Sequence, residues 1–141
     1  MKFAYGVLAV VLISGSLPAL SASEKKITIN VNNQTVEGYL NNTSIANQVY
    51  RMLPFKVSLV SMGVREKYGD LPQQVIGSGP SVKRFHQGDI GYWAPGNQIA
   101  FYYYDDGSYI PEPGVVIIGH FDQEGKSIVG DSKSSSLYLS R

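Results

Sequence analysis

Apolar residues in this chain recur mostly at every second position, in short runs punctuated by Gly, Pro, Asn and Asp. Ile27, Ile29 and Val31 alternate with Thr28 and Asn30, the pattern of a half-buried strand. Asn32-Asn33-Gln34 is a turn cluster, and Thr35 to Leu40 resumes as a second strand, so a hairpin is predicted. Asn41 to Ser44 then supplies capping residues. Ile45, Val49, Met52 and Leu53 follow at helical spacing until Pro54, predicting one helix with Ile45, Val49 and Met52 towards the core.

Phe55 to Met62 reads as a strand, with Phe55, Val57 and Leu59 on one side. Gly63 to Gly69 is polar and charged and reads as a loop, and Leu71 to Pro80 as a long one. Gly88 to Ala94 and Gln98 to Tyr104 are two aromatic-rich runs joined at Pro95-Gly96-Asn97, a hairpin signal. In the second run Ile99, Phe101 and Tyr103 share one face; Ala100, Tyr102 and Tyr104 share the other. Val115 to Ile118 is continuously apolar, as in a central strand covered on both faces. Gly130 to Ser135 is a polar linker before a last strand at Leu137 to Leu139. Seven or eight short strands with one clear helix suggest a small barrel or strongly curled sheet, in which closure removes the edges.

The first residues follow another logic. Lys2 precedes an apolar run from Phe3 to Ile13, Gly15 and Pro18 break it, and Ala19 to Ser23 offers small residues to a peptidase. This is the order of a secretory signal peptide. The run is shorter than the roughly 20 residues that span a bilayer. The expected organisation is a signal peptide over 1–22, cut after Ala22, and one domain over 23–141, secreted or periplasmic and no longer at a membrane after cleavage.

Composition sharpens this picture. The 141 residues carry 12 Lys+Arg against 11 Asp+Glu; without Lys2 the charges balance. That neutrality gives no electrostatic footprint for nucleic acid. Disulfides and cysteine-ligated zinc are excluded because the chain has no cysteine. His86 and His120, the only histidines, lack the company of spaced ligands that a metal needs, so no metal or other cofactor is expected. Gly125-Lys126-Ser127 resembles the end of a phosphate loop, but His120 stands where its first glycine belongs. No Gly-x-Ser-x-Gly elbow supports a serine triad.

Taken together, Ile27–Val31, the helix ending at Leu53-Pro54, Phe55 to Leu59, Gly63 to Tyr68 with the following Leu71-Pro72, the Gly88–Pro95 and Gln98–Tyr103 hairpin, and Val116 to Asp122 resemble the cyclophilin-like proteins of prokaryotes. The resemblance covers about residues 26 to 141. It implies a mainly β fold, a closed cyclophilin-like barrel of about eight strands with one or two capping helices.

Prolyl isomerases of the cyclophilin fold use an arginine to polarise the prolyl amide, aided by a glutamine, a phenylalanine, a tryptophan and a histidine. The resemblance carries few of these roles over. The strand after the helix holds no arginine; Leu59 stands near the expected place and Arg65 comes later. Lys67-Tyr68-Gly69-Asp70 lacks the glutamine, and Tyr109, Ile110 and Gly114 occupy the region of the tryptophan and histidine. Phe101 alone falls close to its counterpart.

The favoured reading is therefore an exported binding module for a peptide or small molecule, monomeric, with most isomerase residues missing. Its expected groove combines the Arg65, Glu66 and Tyr68 segment with the aromatic Trp93, Phe101 and Tyr103. The alternatives are a periplasmic peptidyl-prolyl isomerase with a displaced arginine, and a structural or partner-docking domain presenting a tyrosine face.

Overall fold

A computed structural model describes residues 24–141; the expected signal peptide lies outside the described residues. Strands β1 (Lys25–Val31) and β2 (Gln34–Leu40) form the predicted hairpin. Its two-residue turn places Asn32 and Asn33 at φ 51° and 61°, the left-handed conformation that asparagine tolerates. Helix α1 (Ser44–Met52) starts where predicted, because Thr43 Oγ1 accepts from the Ala46 N–H at 3.1 Å. Its Ile45, Ala46 and Val49 are buried, and Met52 packs half-buried against the same core.

The remaining strands are β3 (Phe55–Ser58), β4 (Val60–Met62), β5 (Glu66–Asp70), β6 (Asp89–Trp93), β7 (Gln98–Tyr102), β8 (Val116–Phe121) and β9 (Ser136–Ser140). A six-residue helix, α2 (Gly125–Gly130), precedes β9. One nine-stranded sheet runs β3-β9-β1-β2-β8-β6-β7-β5-β4, with all pairs antiparallel. The run predicted as a single strand over 55–62 is interrupted at Leu59, and its halves pair with opposite ends of the sheet. β3 takes β9 and β4 takes β5. That swap of partners within one short run brings the sheet round into a nearly closed barrel. Gly69 of β5 lies against β3 at the seam; a Cβ there would sit 2.1 Å from the Ser58 carbonyl oxygen.

The barrel interior holds Ile27, Ile29, Val57, Ile99, Phe101 and Ile118 among others, whereas β4 is exposed throughout, and α1 adds Ile45 and Val49 to it. A second, smaller apolar layer lies on the outer face of β6, β7 and β8: Phe85, Ala100, Tyr102, Ile110 and Val115. Phe85, from the loop before β6, and Ile110 and Val115, from the loop before β8, cover this outer face, while Leu71 and Val75 join the interior. β8 is thus central and apolar on both faces, as its continuous run predicts: Ile118 joins the interior while Val115 and Ile117 join the outer layer.

Two expectations need correction. The segment Gly63 to Gly69 is not a loop throughout, since Glu66 to Asp70 form β5. Its charges masked the alternation. Glu66 points outward beneath the loops and Lys67 points into the barrel end, 6% and 3% exposed. Charge can be buried there because each group has a partner. Arg65 pairs with Glu66. The Lys67 ammonium donates to the Asp131 carbonyl and to the Ser134 carbonyl at 2.9 Å, closing the barrel end beneath α2. In addition β7 ends at Tyr102, so Tyr103 and Tyr104 belong to the following loop, where their N–H groups both donate to the Arg65 carbonyl.

Candidate functional site

The sheet's outer face carries a cavity of about 140 Å³. Tyr68 of β5 and Ala100 of β7 are directly paired and floor it, with Trp93 of β6 alongside. Met62 of β4 and Ile110-Pro111 from the loop after β7 complete the lining. Glu66 and Tyr102, cross-strand partners, lie with Met62 at one end beside Arg65.

Arg65 organises that end. Its Nε donates to Glu66 Oε1 at 3.0 Å, and Nη2 donates to the same oxygen. Nη1 donates to Ser108 Oγ at 3.0 Å and reaches the Tyr109 carbonyl. The guanidinium lies 5.5 Å from the Phe85 ring centre, a cation–π contact. Phe85 in turn stacks on Tyr102 with centroids 4.6 Å apart. One side chain thus ties β5 to both covering loops. Gly91 permits the stack, since a Cβ there would stand 2.5 Å from Val115 and 3.1 Å from the Tyr102 ring. Burial raises the Tyr102 phenol far above its ordinary value of 10.0, and the neighbouring Glu66 carboxylate adds to the effect.

The covering loops are fixed rather than loosely draped. Asn97, at φ 51° after a short 3₁₀ turn (Ala94–Gly96), accepts from the Val75 N–H and the Tyr92 hydroxyl, both at 3.0 Å. Its amide donates to the Gln73 carbonyl at 2.8 Å. Ile110 N–H donates to the Lys83 carbonyl at 2.8 Å, and Val82 bridges Val115. The Ile110 wall is therefore anchored to the segment that also presents Phe85.

The expected groove is divided. Arg65, Glu66, Tyr68 and Trp93 line the cavity together. Phe101 does not: it is fully buried inside the barrel, tilted against Phe121 at 6.2 Å between centroids. Tyr103 does not either. Its half-buried ring lies over Gly130 and borders a separate open groove with Val64 and Lys126. The reason is the period of two along a strand. Phe101 and Tyr103 belong to the inner face, whereas the cavity is built on the outer face that carries Ala100 and Tyr102. That parity was legible in the sequence and would have exchanged Phe101 for Tyr102. Met62, Gln98, Ile110 and Pro111 were missed, and the last two carry no local signal because a long loop delivers them.

A nine-stranded, nearly closed antiparallel barrel with two helices matches a known pattern. The sequence model of the cyclophilin-like family matches residues 29–138, most of the chain. The protein belongs to the cyclophilin-like family. A solved structure of the same fold is the solution structure of the hypothetical protein AF2241 from Archaeoglobus fulgidus. It is 21% identical, with a TM-score of 0.65, and the match covers 84% of this chain and 95% of that one. Comparison with curated proteins returns no match.

In this cyclophilin-like barrel the isomerase roles fare worse than the resemblance implied. The one matched residue, Phe101, is unavailable to a substrate. Arg65 reaches the cavity, with four of its five N–H donors directed to Glu66, Ser108 and Tyr109.

Proposed function

We propose that this cyclophilin-like protein is an exported binding module whose outer cavity takes a peptide side chain or small molecule, without efficient prolyl isomerase activity. One observation carries the reading: an apolar, aromatic-walled cavity is floored by the barrel's most regular strands and finished by a buried ion pair. Such a combination, mostly apolar with a few fixed polar groups, is the usual composition of a ligand site. The N-terminal pattern of Lys2, Phe3 to Ile13 and Ala19 to Ser23 supports export.

Committed donors are the argument against isomerisation. Polarising a twisting prolyl amide needs a donor aimed at it, and the guanidinium is held in another orientation by a carboxylate and two loop groups, which leave it one N–H. The expected rate of proline isomerisation with purified protein equals the no-enzyme control; a rate above the control that falls in Arg65→Ala would support the displaced-arginine enzyme instead.

Binding is tested by filling the cavity. Ala100→Leu places a larger apolar group on its floor. A thermal-shift screen of fragments and short peptides is expected to yield compounds that raise the midpoint of the wild type but not of the variant. If every compound acts equally on both proteins, or none acts, the cavity is not a binding site.

A further inference from the structure

We propose that the cavity receives one neutral ring bearing an O–H or N–H donor, a phenol being the simplest example, either as a free small molecule or as a tyrosine side chain. This rests on the binding reading above and narrows it. Four limits set by the structure converge on that chemistry.

Size is the first. About 140 Å³ is close to the engineered apolar cavity of roughly 150 Å³ that accepts benzene, so a single ring fits within these walls. The surroundings are the second. Trp93 and Tyr68 present aromatic surface, and Ala100, Ile110 and Pro111 present aliphatic surface; rings gain from such contacts beyond the area they bury.

Charge is the third limit. Arg65 and Glu66 neutralise each other at 12% and 8% side-chain exposure. A charged ring would bring an uncompensated charge against that buried, already balanced pair. Hydrogen bonding is the fourth. An ionised carboxylate offers about four acceptor positions. Arg65 fills two on Oε1. Glu66 therefore retains acceptor capacity at that end of the cavity. Gln98, at the other end, gives one amide N–H to Asp70 at 3.0 Å. A ring with a donor answers Glu66. A peptide-bonded proline does not, because it has no N–H.

Trp93 is the only tryptophan in the chain, so its indole N–H gives a single resonance in a proton–nitrogen spectrum and reports from the cavity itself. The experiment titrates the protein with phenol, toluene, benzoate, N-acetyltyrosinamide and the N,N-dimethylamide of N-acetylproline, which has no N–H. Phenol is expected to shift the indole resonance saturably and to bind about tenfold more tightly than toluene, the value of one hydrogen bond to a charged acceptor. Benzoate and the proline amide are expected to leave it in place. N-acetyltyrosinamide binding as well as phenol or better assigns the natural source to a peptide; phenol binding alone assigns it to a small molecule. Ala100→Leu is expected to abolish these shifts. Met62→Trp, at the half-exposed mouth, is the second block should the first variant fold poorly.

Toluene binding as tightly as phenol overturns the donor requirement, and benzoate or the proline amide binding best overturns the ring assignment. In both cases cavity binding itself stands. If none of the five moves the indole while the fragment and peptide screen still finds compounds sensitive to Ala100→Leu, this inference fails and the binding reading survives. If that screen is also empty, both fail.

Discussion

Glu66 shows how a single residue can be structural and chemical at once. It sits on the outer face of β5, takes two bonds from Arg65, and lies across from Tyr102 at one end of the cavity. Removing one partner of such a pair costs more than the pair contributes, because the other charge stays desolvated. Arg65→Met is therefore expected to destabilise the fold by about 3 kcal/mol, read as a lower urea midpoint. Adding Glu66→Gln should recover part of the loss by removing the stranded charge. Tyr102 adds a pH signature. Its folded-state pKa is raised above the ordinary 10.0, so the unfolded state releases the phenol proton first as pH rises. The stability it contributes is fully present below about pH 10 and declines above it. In Tyr102→Phe the alkaline loss of urea stability should be shallower than in the wild type; equal slopes would mean that the phenol titrates alike in both states.

Among the elements, the interrupted strand over 55–62 and its neighbour β5 decide the architecture. The alternation of Phe55 and Val57 correctly marks β3 as facing the core, both being buried. Nothing in that alternation marks Leu59 as the point where pairing passes from β9 to β5. β5 is harder still to read, since a hydropathy pattern treats Glu66 and Lys67 as solvent-facing. Their burial rests on groups far along the chain: the Ser134 and Asp131 carbonyls for Lys67, and for Glu66 the Ser108 hydroxyl and Tyr109 carbonyl that hold its neighbour Arg65 in place. The seam between these strands has little tolerance. Gly69→Ala would drive a Cβ to 2.1 Å from the Ser58 carbonyl oxygen and 2.4 Å from Val57. An expected cost of about 1–3 kcal/mol follows from overpacking, measured as a lower unfolding midpoint. An unchanged midpoint would mean that β3 and β5 are not held together at Gly69.

For the molecule as a whole, the barrel carries two apolar layers where a simple barrel needs one. The inner layer stabilises the closed sheet, and the outer one fastens two long loops onto it. Long loops with their own buried residues are the usual carriers of function on a rigid scaffold, and here they supply the Ile110-Pro111 wall. The export reading makes a direct prediction at this scale. Protein recovered from the secreted or periplasmic fraction of the producing cell should begin at Ser23, within one or two residues, by N-terminal sequencing; recovery of the intact chain beginning at Met1 in the cytoplasm would refute it.

The sequence by itself determined the β class, the first hairpin, the cap and stop of α1, the central position of β8 and the family. Each of these rests on local chemistry: a period of two, an asparagine turn, a threonine cap, a continuous apolar run. It also named Arg65, Glu66, Tyr68 and Trp93, which share one cavity. Tertiary structure decided the rest. Burying Glu66 and Lys67 in β5 depends on partners that only the folded chain brings near. Excluding Phe101 and Tyr103 from the cavity depends on which face of β7 the barrel encloses. The wall at Ile110 and Pro111 depends on a loop anchored to Lys83 and Val115 through contacts that no local pattern encodes.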